Sequence, residues 1–343
     1  MKVVKASIIG FGSIGQGVAK SLLMKKDYLK MEGIEIAVVA VTDSKGAVVD
    51  ENGVDLDACL KRKAETGTVA GKSHLGMTGL DVIQKIPHDL VIEVTPTDIV
   101  TGGAGLLNMK AALQSKKHVV TSNKGPLTIQ FKELQDLAKR NNVEFKYEAT
   151  VGGAMPIINL MTDIMAGNDI KSVKGIFNGT CNYILTRMYE EKSGYSEILT
   201  EAVDLGIAET DPSYDVEGID TACKVVILAN SVFGMNKTIQ DVERTGITHV
   251  TYEALEMSAR SGKTIKLIGE VRKDGRLSVA PRLVPIGHPL SVSGTLNVAA
   301  IQTDLAGEIT VTGKGAGSLE TASSILSDIL SIYRNDCVSK NVN

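Results

Sequence analysis

The chain has 343 residues, 43% of them hydrophobic and 22% charged, with a formal net charge of −3. With 4% aromatics, no tryptophan and lysine and arginine spread along its length, it lacks both the stacking platforms and the basic field of a nucleic-acid binder. No apolar run approaches the ~20 residues that span a bilayer, and the charged start Met1-Lys2-Val3-Val4-Lys5 is unlike a signal peptide.

At roughly 100–200 residues per domain, this length predicts two or three domains. Cys59, Cys181, Cys223 and Cys337 have no paired spacing, and the five histidines have no metal-ligand spacing. The pattern points to a reducing, cytoplasmic setting and away from structural zinc. In the tail after the last helix, Cys337 is open to two readings, a spare thiol or an intermolecular disulfide.

In chain order, residues 4–9 read as a buried strand and 14–25 as a helix with Ile14, Val18 and Leu22 on one face. Residues 34–42, 90–95 and 118–121 are further apolar runs, the last two separated by a helix over 104–114. Hydrophobicity that is continuous rather than alternating implies strands covered on both faces, hence a doubly wound parallel sheet of the α/β class. Residues 45–79 show weak periodicity and read only as an elaborated connection. From residue 143 the rhythm changes. A strand over 144–148 leads to a turn at 151–156 that opens a helix ending near 166, and then to a strand over 173–177. Helices over 182–192, 196–205 and 218–233 precede a hairpin, 265–272 and 277–285, turned by Lys273-Asp274-Gly275. Strands at 298–303 and 308–312 and an amphipathic helix over 315–333 close the chain. The expected division is a dinucleotide-binding domain over 1–148 completed by 312–343, and an α+β substrate-binding and dimerisation domain over 149–311.

Gly10-Phe11-Gly12-Ser13-Ile14-Gly15 follows the first strand and opens the first helix. In that context the first glycine makes the tight turn, the second admits a pyrophosphate to the backbone, and the third lets helix and strand pack closely. The phosphates would rest on the helix N-terminus, where free amides and the dipole favour anions. Asp43 ends the second strand, where a carboxylate would accept the adenosine ribose hydroxyls and lean toward NAD. Lys61-Arg62-Lys63 could reach a 2′-phosphate instead, or form a solvated helix face, so NAD against NADP stays open.

Ligands of doubly wound sheets bind at the carboxyl ends of the strands. Thr95-Pro96 and Ser122-Asn123-Lys124-Gly125-Pro126 stand at two such ends, and Lys124 there could orient a substrate oxygen. A second constellation is Glu209, Asp211, Asp215, Asp220 and Lys224. Asp220 and Lys224 are four apart and share one helix face, the arrangement of an ordinary surface ion pair. Yet the helix continues as Val225-Val226-Ile227-Leu228-Ala229, too apolar to be exposed, so the pair is expected to face a cleft. Several carboxylates around one lysine suit recognition of an amino group and proton transfer. Cys181 and Cys223 have no histidine near them in sequence, which disfavours thioester chemistry.

These residues carry a resemblance along nearly the whole chain. His118-Val119-Val120-Thr121-Ser122-Asn123-Lys124-Gly125-Pro126, Tyr147-Glu148-Ala149-Thr150-Val151-Gly152-Gly153-Ala154-Met155-Pro156 and Phe177-Asn178-Gly179-Thr180-Cys181-Asn182 resemble the homoserine dehydrogenase family. So do the Glu209…Asp220…Lys224 segment and Gly313-Lys314-Gly315-Ala316-Gly317. The resemblance implies interconversion of L-homoserine and L-aspartate 4-semialdehyde with NAD or NADP. It makes Lys224 the proton donor and acceptor and Lys124 a second active-site lysine. Glu209 and Asp220 become substrate ligands supported by Asp215, and Thr95, Ser122, Gly206 and Gly315 further cofactor contacts. It also implies a monovalent cation, typically sodium, on Glu148, Val151, Gly153 and Met155, and a homodimer formed through the second domain's sheet. Many relatives carry a C-terminal regulatory domain; here the chain stops soon after its last predicted helix, and such regulation is expected to be missing. Two rivals are a dehydrogenase of another amino-acid semialdehyde and a non-catalytic NAD sensor.

Overall fold

The computed structural model describes residues 1–338, with side chains through Arg334; the Cys337 thiol lies outside the described side chains. The chain forms two compact units: residues 1–150 together with the segment from Gly317 onward, and Val151–Ala316.

In the first unit, the apolar runs become strands β1 (Lys2–Ile9), β2 (Ile34–Asp43), β3 (Gly46–Val49), β4 (Leu90–Glu93), β5 (His118–Thr121) and β6 (Phe145–Lys146). They hydrogen-bond in the order β3-β2-β1-β4-β5-β6, parallel throughout except for the β2–β3 hairpin. The order reverses between β1 and β4, the switch point at which doubly wound sheets open a crevice. Helices α1 (Ser13–Met24), α2 (Lys26–Met31), α3 (Leu56–Thr66), α4 (Gly79–Lys85), α5 (Gly103–Gln114) and α6 (Lys124–Asn141) connect these strands. The weakly periodic stretch 45–79 is thus ordered, its helices started by side chains: Asp55 accepts from Ala58 N–H, and Thr78 forms a capping box with Asp81. Lys124 follows the end of β5, as expected, and opens α6. One expectation is corrected: the strand predicted over 144–148 is two residues long before a 3₁₀ turn at Glu148–Thr150.

The second unit begins with turns where a regular helix to 166 was expected; only a π-helical stretch, Leu160–Ile164, forms. Its elements are β7 (Ile170–Ile176), α7 (Gly179–Glu191), α8 (Tyr195–Asp204), α9 (Ser213–Val216), α10 (Ile219–Val232), β8 (Glu243–Arg244), α11 (Tyr252–Arg260), β9 (Lys263–Arg272), β10 (Leu277–Pro285), β11 (Leu296–Thr303) and β12 (Glu308–Lys314). The sheet order is β12-β11-β7-β9-β10-β8, antiparallel except between β8 and β10. Along α10, Ala222 through Ala229 are all buried, the burial that the apolar sequence demanded.

The chain returns to the first unit as α12 (Ser318–Val338). Its Ala322, Ile325, Leu326, Ile329 and Tyr333 join one apolar core with Val4, Ile8, Val18, Leu90 and Ile92. Among the described residues, no helix is long and apolar enough to cross a membrane.

Candidate active site

The glycine-rich turn of the first unit is built as its sequence requires. Gly10 has φ +102°, and a Cβ there would lie 2.6 Å from the Val94 carbonyl oxygen. A Cβ at Gly15 would lie 2.1 Å from the Gly10 oxygen, whereas one at Gly12 would meet nothing within 4 Å. Phe11 is buried, Ser13 and Ile14 open α1, and the Gly12 cap supplies no side chain to the first amides of the helix. Open space at the middle glycine and uncapped amides behind it fit the pyrophosphate of a dinucleotide.

At the end of β2 the Asp43 carboxylate is occupied from within. It accepts hydrogen bonds from the Lys45 and Val69 amides, the Thr68 hydroxyl and the Lys63 ammonium, the last at 2.9 Å. Burial pushes this carboxyl up, but Lys63 and the other donors outweigh it and hold it below its ordinary value. Arg62 is likewise turned inward, donating twice to the Ala70 carbonyl. The basic trio is therefore not simply a solvated face.

Past β4 and β5, a hydrogen-bonded chain starts from a residue that sequence reasoning missed. Glu93 is fully buried. Its carboxylate accepts from the Thr95 amide at 3.2 Å and from the Thr95 hydroxyl. The Thr95 oxygen in turn accepts from the Asn123 side-chain amide at 3.2 Å, and Asn123 Oδ1 accepts from the Gly125 amide, capping α6. Lys124 is the first residue of that helix, and Ser122 precedes its cap. Burial pushes the Glu93 carboxyl up to about 7, against the pull of Thr95, Asn123 and Asn108. A charged residue closing the buried run Leu90-Val91-Ile92 was the available signal.

In the second unit, Asp220 and Lys224 occupy the first turns of α10 and are 5% and 7% exposed. The Lys224 ammonium donates to Asp220 Oδ2 at 2.6 Å and to the Phe177 carbonyl at 2.5 Å. Asn178 completes the cluster. Its amide nitrogen reaches Asp215 at 2.6 Å and Asp220 at 3.0 Å, while its oxygen accepts from the Cys181 amide and caps α7. Burial, then the nearby Asp220 charge, raises the Asp215 carboxyl above its ordinary value. Burial pushes the Cys181 thiol well up, and its hydrogen goes to the Asp215 carbonyl, so it offers no reactive thiolate. This arrangement can hold an ammonium in place, polarise an oxygen and pass it a proton.

Glu209 is exposed between α8 and α9 and makes no hydrogen bond or ion pair among the described residues. Gly206 follows α8 with φ +69°. Gly315 packs on the buried Asn297, and the Ala154 amide donates to the Lys314 carbonyl, which lays the 152–155 turn beside residues 313–315. Val151 and Met155 are buried. Glu148, in the first unit, is 2% exposed, and its amide donates to Asp328.

A family model described as homoserine dehydrogenase matches residues 156–330, and one described as homoserine dehydrogenase, NAD binding domain, matches residues 10–148. The chain is 54% identical over 330 residues to a homoserine dehydrogenase of Methanocaldococcus jannaschii, covering 96% of this chain and 98% of that one. Among solved structures it is similar to a putative homoserine dehydrogenase of Archaeoglobus fulgidus, with a TM-score of 0.90, 49% identity, and 96% and 99% of the two chains covered. A hyperthermophilic archaeal homoserine dehydrogenase in complex with NADPH aligns with a TM-score of 0.85 at 30% identity, covering 97% and 98%.

Proposed function

The chain belongs to the homoserine dehydrogenase family, and from that premise we propose roles for its residues in interconverting L-homoserine and L-aspartate 4-semialdehyde. The observation that carries the reading is the buried Lys224–Asp220 pair with Asn178 bridging Asp220 and Asp215. When bound, NAD or NADP exchanges the hydride with the aldehyde carbon. In the reducing direction the aldehyde oxygen takes a proton from the Lys224 ammonium, giving the alcohol; in the oxidising direction Lys224 takes that proton back. Asp220 and the Phe177 carbonyl aim the ammonium, and Asn178 keeps the two carboxylates apart. Exposed Glu209 receives the substrate ammonium, with Asp215 supporting the site. Lys124, held at the start of α6 by the Glu93–Thr95–Asn123 chain, orients substrate against cofactor.

Thr95, Ser122, Gly206 and Gly315 are read as further cofactor contacts. Because Lys63 lies 2.9 Å from Asp43, it offsets the carboxylate's repulsion of a 2′-phosphate. The enzyme is therefore proposed to accept both NAD and NADP. A donor set made only of oxygen, the Glu148 carboxylate and the carbonyls of Val151, Gly153 and Met155, suits a hard monovalent cation such as sodium. The described residues hold no cluster of three His, Cys, Asp or Glu for a transition metal. Cys59, Cys181 and Cys223, buried as reduced thiols, suit the cytoplasm, where the protein is proposed to act as a homodimer. Incubating the enzyme with L-homoserine and either nicotinamide, and following reduced-cofactor absorbance, tests the reading. Turnover with both cofactors is expected; none with either would refute it.

A further inference from the structure

Lys266 in β9 is 3% exposed, and among the described residues its ammonium meets only neutral oxygens, Asn182 Oδ1 at 2.8 Å and Thr186 Oγ1 at 3.2 Å. Among the described residues, no carboxylate forms an ion pair with it. Lys224, equally buried, has Asp220 at 2.6 Å. A buried ammonium without a counter-charge is costly to hold, and two neutral acceptors leave one of its N–H directions without a protein partner. The Thr186 oxygen also accepts from the Gly294 amide, and its hydroxyl donates to the Asn182 carbonyl, so its orientation is fixed.

In front of Lys266 lies a cavity of about 230 Å³. Its lining combines the polar groups of Lys263, Ser291 and Ser293 with the apolar side chains of Leu185, Leu255 and Ala259. The volume is below the ~300–1,000 Å³ usual for drug-sized ligands, so an occupant must be small. Two lysines and two serines call for an anion, and the aliphatic wall for a short hydrocarbon attached to it.

We infer that this cavity is a binding site for a small aliphatic carboxylate, with its charge on the Lys266 ammonium and its hydrocarbon against Leu185, Leu255 and Ala259. Burial draws the Lys266 ammonium down to about 8 while the Glu190 charge pulls it up, and an anion in the cavity would hold the ammonium charged. Glu190 also borders the cavity and can meet an ammonium on the ligand, should it carry one.

Calorimetric titration of the NADP-loaded enzyme with isobutyrate, L-valine and isobutyramide tests this. At least one of the two carboxylates should bind saturably, with the uncharged amide at least tenfold weaker. Valine binding tighter than isobutyrate identifies an amino-acid ligand, and the reverse order a simple carboxylate; both support the site. Lys266→Met should weaken binding at least tenfold with homoserine turnover within twofold of wild type. Ala259→Phe, which fills the cavity and leaves the lysine in place, should do the same and covers a failure of the first variant to fold. The inference is overturned if neither carboxylate saturates, if isobutyramide binds equally well, or if binding survives in the variants, as it would at the homoserine site.

Discussion

Each unit buries a carboxylate next to residues assigned to chemistry, but in contrasting company. Glu93 is surrounded by hydroxyls and amides, with its carboxyl pushed up to about 7. Asp220 faces an ammonium at 2.6 Å. Burial removes water from both, yet only the second has an opposite charge to replace it. The pair in the second unit is therefore a fixed dipole suited to directing a proton, whereas Glu93 is a hub whose charge changes near neutral pH. The first unit's carboxylate is thus proposed to position and the second unit's to serve the reaction.

Removing the lysine from the charged pair should have the largest effect. Lys224→Ala is expected to lower kcat by about 10²–10⁴, the range for loss of a positioned acid–base group, while NADPH affinity measured by fluorescence titration stays within a few-fold. Near-normal turnover would remove Lys224 from the chemistry. Asp220→Asn leaves the ammonium buried without its anion and should cost about 3–5 kcal/mol of stability. A melting temperature unchanged from wild type would show that the pair is not buried as described.

Glu93→Gln tests the other half of the comparison through pH. In the folded chain the Glu93 carboxyl is held at about 7 against an ordinary 4.5. Its neutral form favours folding fully below pH 4.5, and that advantage is lost as pH climbs toward 7. At about 1.4 kcal/mol per pH unit the loss amounts to roughly 3 kcal/mol. The glutamine variant should lack this decline in calorimetric scans between pH 4.5 and 7.5; curves running parallel to wild type would exclude it. The smallest effect is expected for Asn178→Ala. It loses the α7 cap, about 1 kcal/mol in melting experiments, and the bridge between Asp215 and Asp220, about tenfold in kcat. Unchanged turnover would reduce Asn178 to a cap.

What the sequence made legible was whatever local pattern dictates. Continuous apolar runs foretold the parallel strands, and the glycine spacing foretold the turn after β1. The four-residue interval between Asp220 and Lys224 placed them on one face of an apolar helix, and there they form a buried pair. What stayed hidden depends on distant partners. Asp43 is met by Lys63 and Val69, 20 and 26 residues away, so its occupied carboxylate has no local signature. Asn178 bridges acids 37 and 42 residues on. At Lys124-Gly125-Pro126, Gly-Pro ends the strand as it reads, but the helix that starts there was hidden, since it rests on the Asn123 cap and on proline being tolerated in a first helical turn.

The return of α12 to the first unit has a consequence for biogenesis. Residues 151–316 are complete as soon as they leave the ribosome and can fold as a unit while synthesis continues. The nucleotide-binding half, although made first, keeps an open core until Ala322, Ile325 and Ile329 arrive. The nascent chain thus finishes its two halves in the reverse of their order in sequence, and cofactor capture has to wait until α12 has been translated.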